Sequence, residues 1–379
     1  MGVPMFDIGY NLGPQERAAL LQRFAAVLEH GRFLNGPELG ELEERLAAFL
    51  GVPHAIACSN GSDALVLALR AADVGPGDEV VLPAFTFFAT AGAVARLGAT
   101  PVFADVEPHS LLLDRQSAAS KCGPRTKAVL PVHLFGMAAP IAPLRAAVEA
   151  AAGHPVAVVE DAAQAIGAAA PEGPIGGLGL VAAWSCFPTK NLGACGDAGF
   201  VTTTDAGRAA RIRRLREHGG GQQYHHDEVG YNFRLDSLQA AALSERLPQL
   251  PAWNAAREES ARHYGELLEK HGLAGCVQPP PHVAGRIYHQ YVVRAARRDA
   301  LRAALTAAGI GSAVYYPVPL HLQPCFAGLG GRPGDLPESE RAAQEVLALP
   351  IHPGVRPEQR EEVIEGFAAF YRGASMPVR

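Results

Sequence analysis

Between residues 13 and 245 the chain alternates short apolar runs with amphipathic stretches of helical period. That alternation confines it to a mostly parallel sheet with helices on both faces. His54–Cys58 reads as a strand and Ser62–Ala72 as the helix after it. Glu79–Leu82 is followed by a helix from about Thr86 to Leu97, and Pro101–Ala104 is a strand whose proline sits at the first position, where a missing N–H is tolerated. Lys127–Val132, Pro155–Glu160, Ala182–Phe187 and Gly199–Thr203 complete the strands, with a helix near Ile141–Ala152. Pro155–Glu160 is apolar until its last residue, as expected of a strand covered on both faces. Residues 235–272 read as helical, interrupted by Pro248 and Pro251. Beyond the stiff Gln278–His282 segment, strands at Tyr288–Val293 and Ser312–Tyr316 and helices at Arg298–Ala308, 336–348 and 356–371 describe a smaller α+β unit. The expected division is a large α/β domain over 1–248, with a helical N-terminal segment, and a small C-terminal domain over 249–379.

The length of 379 residues suits two domains, and 48% hydrophobic against 19% charged residues suits a sizeable core. A net charge of −5 speaks against nucleic acid or an acidic membrane surface as a general partner. No apolar run reaches the roughly 18 residues of a membrane span. The N-terminus lacks the basic start and apolar stretch of a signal peptide, so a cytoplasmic location is the default expectation. Cysteines 58, 122, 186, 195, 276 and 325 form no C-x-x-C pair and suit neither a disulfide framework nor a zinc site, so no metal is expected. Lysine is scarce: Lys121, Lys127, Lys190 and Lys270 stand in an arginine-rich chain. Arginine stays protonated, whereas lysine can lose its proton and act as a nucleophile.

In open α/β sheets ligands gather at the carboxyl ends of the strands, and three features fall there. Ser59-Asn60-Gly61-Ser62-Asp63 joins a strand to a helix whose free N–H groups and positive dipole end make a phosphate seat, or else an ordinary N-cap. Asp161 ends a buried strand, where a carboxylate is costly unless paired. A protonated ring nitrogen is one such partner, and a role as helix N-cap is the alternative. Lys190 follows an apolar strand and precedes a turn with Gly193, Gly196 and Gly199. It reads as a Schiff-base amine, which needs a pKa lowered by desolvation or a neighbouring charge, or as a solvated loop lysine. Phosphate cradle, ring-nitrogen carboxylate and amine are the parts a pyridoxal phosphate site requires.

The strings SCFPTKNLGACGDAG, VVEDAAQAIGA and GYNFRLDSLQAA, with Gly31–Pro37 and Pro350–Pro353 near the two ends, resemble the DegT/StrS-type nucleotide-sugar aminotransferases of the fold-type I pyridoxal phosphate enzymes. The resemblance implies that Lys190 forms the internal aldimine and moves the proton between substrate and cofactor, and that Asp161 keeps the pyridine nitrogen protonated. It assigns the cofactor phosphate to Gly61, Ser62, Asp63, Ser185 and, from a neighbouring subunit, Asn232. Gln164 would meet the 3-hydroxyl and Phe87 would stack on the ring. It further implies a homodimer with a shared site and ping-pong transamination of a keto group on a nucleotide-activated sugar, with L-glutamate as donor. Arg234, His225, His226, Tyr315, Tyr316 and His321 are the candidate substrate contacts. Arg214 and Arg216 read as a solvated helix face. The stretch from His218 to His226 and Tyr231–Asp236 resembles enzymes acting at the sugar C3 position, which favours a 3-keto UDP- or dTDP-hexose. Tyr315 departs from the histidine common among such relatives. Amination of a free cyclic ketone such as an inosose is the alternative activity, and a cofactor-binding regulatory protein is the non-enzymatic one.

Overall fold

A computed structural model describes residues 2–9, 12–222 and 224–373. Its centre is a seven-stranded sheet: β1 (His54–Cys58), β2 (Glu79–Pro83), β3 (Thr100–Ala104), β4 (Thr126–Val129), β5 (Ala157–Asp161), β6 (Val181–Ser185) and β7 (Gly199–Thr203). The spatial order is β1-β7-β6-β5-β4-β2-β3. β6, β5, β4, β2 and β3 run parallel, while β7 is antiparallel to both neighbours. Two reversals therefore leave β1 pointing the same way as β6, so the carboxyl ends of β1, β2, β5 and β6 share one edge of the sheet. Pro101 is accommodated because β3 is an edge strand.

Both faces are covered, and the strands show it residue by residue. Val80, Leu82, Ala128 and Val159 join one core cluster, while Val81, Val129 and Val158 join another on the opposite face. This is why the strands are continuous apolar runs rather than alternating ones. Helices α1 (Pro14–His30), α2 (Pro37–Leu50), α3 (Gly61–Ala71) and α4 (Phe88–Arg96) precede or connect the first strands. Glycine ends α1 and α2 in the left-handed conformation, φ 67° at Gly31 and 66° at Gly51.

After the 3₁₀ turn Leu247–Gln249 the long helix Leu250–Lys270 leads into a three-stranded antiparallel sheet of β8 (Val277–Gln278), β9 (Tyr291–Ala295) and β10 (Val346–Leu349). Two expectations fail here. Residues 312–316 do not form a strand, since only Ala313 bridges, to Ala348, before Pro317 and Pro319 end any ladder. The helix expected over 336–348 stops at Glu345, and Val346–Leu349 is instead a fully buried strand. A four-residue apolar run cannot be told from buried helix by periodicity alone. Arg216 also differs from expectation: it is buried, donating to Glu43 at 2.8 Å and to the Ala57 carbonyl at 2.9 Å.

Candidate active site

A cavity of about 850 Å³ opens at the shared carboxyl edge of the sheet. Gly61, Ser62, Asp63, Phe87, Asp161, Gln164, Ser185, Lys190, Tyr315 and Tyr316 all line it, so ten of the sequence candidates converge. The first wall is the turn from β1 into α3. Asn60 is the N-cap, its side chain accepting the Asp63 N–H at 2.9 Å. The N–H groups of Gly61 and Ser62, on the cavity wall, have no acceptor within the helix. A Cβ on Gly61 would stand 2.6 Å from that of Ser185, and one on Gly199 would stand 2.5 Å from the Asn60 carbonyl carbon. Only glycine lets the turn settle on β6 and β7 this closely. Asp63 has no free N–H to offer. Its carboxylate accepts from Ser59 at 2.6 Å, from Asn60 at 2.8 Å and from Arg96 at 3.1 Å, which ties the turn to α4.

Asp161 is 4% exposed at the end of β5. One carboxylate oxygen accepts from Thr90 at 2.8 Å and the other from the Ala163 N–H at 3.2 Å. Burial pushes its pKa up, and the two hydrogen bonds and the charge of Lys190 only partly offset that. No helix follows it, so the N-cap reading is set aside. Behind it Glu160 is fully buried against His133, Oε2 to Nε2 at 3.0 Å. His133 Nδ1 accepts the Ala139 N–H, so Nε2 carries the proton toward Glu160.

Lys190 is half-buried on the cavity floor. Burial brings its pKa down from 10.5 to about 8, against the opposing pull of Asp161 and Cys186. His289 lies on the same wall. Its Nδ1 is 3.0 Å from Asn191 Oδ1, and Asn191 donates through Nδ2 to Asn254 and to the Ile287 carbonyl. Asn191 Oδ1 is therefore an acceptor, His289 Nδ1 carries a proton, and Nε2 has a free lone pair. Burial, then Lys190 and Arg257, keep this imidazole neutral. Gln164 accepts the Phe135 N–H at 2.8 Å and donates to the Tyr316 hydroxyl at 2.9 Å. Phe135 holds a left-handed φ of 55° to make that bond. Phe87, 55% exposed, stands on the wall 6.1 Å from the Tyr316 ring.

The remaining candidates lie elsewhere in the single chain. His226 and Arg234 line a groove of about 1060 Å³ beside the two short strands Gly220–Gln222 and His225–His226. His225 belongs to the same hairpin, and Asn232, exposed, bridges to Glu217. His321 is buried with its ring on Glu340 at 3.1 Å, off the cavity wall. Sequence reasoning passed over Thr90, Arg96 and His289, which come from elements remote in the chain, and Asn191, which follows Lys190 directly. The pairing of His289 with the residue next to Lys190 had no local signature. Among the described residues, no cluster of His, Cys, Asp or Glu is arranged to hold a metal.

A relative from Geobacillus stearothermophilus named "Pleiotropic regulatory protein" is 46% identical, covering 98% of this chain and 99% of its own. The "UDP-N-acetyl-3-dehydro-alpha-D-glucosamine 3-aminotranferase" of Acidithiobacillus ferrooxidans is 42% identical over 94% of this chain and 95% of its own. The crystal structure of S. venezuelae DesV in complex with a ketimine intermediate superposes with a TM-score of 0.91 at 41% identity, covering 97% of this chain and 98% of that one. Residues 14–368 match the model of one family. With that match and these identities, the chain belongs to the DegT/DnrJ/EryC1/StrS aminotransferase family.

Proposed function

We propose that this protein is a pyridoxal-phosphate-dependent aminotransferase acting on a keto group of a nucleotide-activated sugar, favouring the 3-keto position of a UDP- or dTDP-hexose. One observation carries the reading: a single cavity presents an amine whose pKa is brought down to about 8 together with a carboxylate that burial pushes up. The residues fit the cofactor. The turn at Gly61 offers N–H groups for a phosphate, and Asp161 is a buried acid whose hydrogen bonds come from neutral groups, Thr90 and the Ala163 N–H.

When bound, pyridoxal phosphate supplies an aldehyde that takes up an amino group and a ring that accepts electrons. Gly61, Ser62 and Ser185 would hold its phosphate, with Asp63 and Arg96 bracing the turn. Asp161 would pair with the ring nitrogen, whose positive charge would favour the carboxylate against the effect of burial. Gln164, oriented by Phe135 and Tyr316, would contact the ring oxygen, and Phe87 would cover one ring face. Lys190 Nζ is the nucleophile and then the group that moves the proton at the reacting carbon. Donor and acceptor use the cavity in turn, with glutamate as donor. Asn232, Arg234, His225 and His226 serve the site of a second copy, so the working unit is a homodimer; Tyr315 and Tyr316 contact the substrate in their own chain. The chain divides near Leu247–Gln249, with the site at the seam. No helix among the described residues is long and apolar enough to cross a membrane, and a cytoplasmic site of action is part of the proposal.

The test is a panel of nucleotide-linked 3-keto and 4-keto sugars and free inososes, offered with glutamate. Turnover of the 3-keto nucleotides is expected. Turnover of inososes alone would replace this substrate class. DNA binding with no amine transfer from any donor would replace the enzyme reading by the regulatory one that a relative's name suggests.

A further inference from the structure

Behind Lys190 lies a second, smaller pocket of about 40 Å³, with space for a few water-sized atoms. Phe6, Thr189, Lys190, His289 and Gln290 line both cavities, so the two adjoin at the lysine. Arg246 and Arg257 form its far wall, 9% and 7% exposed. Buried arginines are nearly always paired with acids, and among the described residues these two have no acidic partner. Arg257 Nη1 is shared among the carbonyls of Tyr288, His289 and Ile351 at 3.5, 3.3 and 3.4 Å, and its Nε is buried with no partner. Arg246 Nη1 donates to the Gly193 carbonyl at 2.6 Å, and its Nε likewise has no partner. The other titratable groups on the wall are Lys190, His289, His352 and Asp7, the only acid, which is exposed. Burial disfavours the charged form of both imidazoles. Two buried guanidiniums that no carboxylate neutralises thus line a space that opens onto the reactive amine.

We infer that this pocket is the seat of an anionic group carried by the amino donor: the side-chain carboxylate of a dicarboxylic amino acid whose amine lies at Lys190. The inference rests on the aminotransferase reading for the donor's identity, not for the pocket's charge. It explains why a cavity walled largely by apolar and neutral groups would select an acidic donor, since a carboxylate forms charge-assisted bonds with guanidinium that a carboxamide cannot.

The holoenzyme is tested with glutarate, a dicarboxylate that lacks an amine and cannot react, and with its monoamide glutaramate. Glutarate is expected to compete with glutamate at least tenfold more tightly than glutaramate and to raise the melting temperature. In Arg257→Gln and Arg246→Gln that preference falls to about one. The glutamate KM rises at least five times more than the keto-sugar KM. Equal inhibition by the two compounds on the unaltered enzyme overturns the inference whether or not the variants fold. So does an unchanged preference in both variants, or inorganic phosphate matching glutarate at equal ionic strength, which would mark a general anion site. Because glutarate binding needs no turnover, failure of every donor to transaminate would refute the aminotransferase reading while leaving this result standing.

Discussion

Lys190 and Asp161 are each pushed toward neutrality by burial and toward charge by the other. In the cofactor-free protein the reactivity of Lys190 with an amine-directed reagent should therefore show a midpoint near pH 8, measured by peptide mapping, and Asp161→Asn should move that midpoint lower. Borohydride reduction of the holoenzyme should label Lys190, and label on Lys121, Lys127 or Lys270 would falsify its assignment. Lys190→Ala should cost about 10²–10⁴ in rate with the fold intact, as for loss of a positioned proton-transfer group. For Asp161 the sign of the pH effect is set by its raised folded pKa. Above 3.8 the folded, cofactor-free protein holds a proton that the unfolded chain has lost, so stability declines as pH rises from there through the folded value. Asp161→Asn should flatten that decline in urea melts while lowering turnover about a hundredfold or more. That these two residues would meet in one cavity was legible because strand ends and scarce lysines narrow the choice. The tautomer of His289 was not, because it depends on Asn191, 98 positions away.

At the scale of elements, the turn from β1 into α3 carries the tightest steric requirement. Gly61→Ala must displace Ser185, so it should destabilise by about 1–3 kcal/mol and loosen cofactor retention. Gly40→Ala, in an open position within α2, should instead stabilise by about 0.5–1 kcal/mol. Thermal melts and dialysis of the holoenzyme read both, and a silent Gly61→Ala would mean that the turn has more room than its contacts imply. The strands of the large sheet, and the three helices read among them, were legible within three residues, since each is an apolar run of one period. The segments 312–316 and 346–349 were not, because which of them completes the small sheet depends on β9.

For the whole molecule, Asn232, Arg234, His225 and His226 lie outside the cavity of their own chain, and on the proposed reading they serve the site of a second copy. Lys190→Ala and Asn232→Ala, each impaired alone, should regain part of the activity when co-expressed, because one mixed dimer keeps one intact site. Sedimentation of the pure protein as a monomer, or a failure to complement, would remove the shared site. The mainly parallel sheet was foreseeable because crossover helices must cover both its faces.

What the sequence by itself determined is local: periodicity decided the elements, glycines decided where the backbone may turn tightly, and chemistry marked Lys190 and Asp161. What only the tertiary structure decided is every relation between distant positions. It set Thr90 on Asp161 and His289 beside Lys190, placed His321 on Glu340, and left Arg246 and Arg257 buried without acids. The physical reason is that burial, and with it the cost of an unpaired charge, belongs to the packed assembly of elements and not to any stretch of chain.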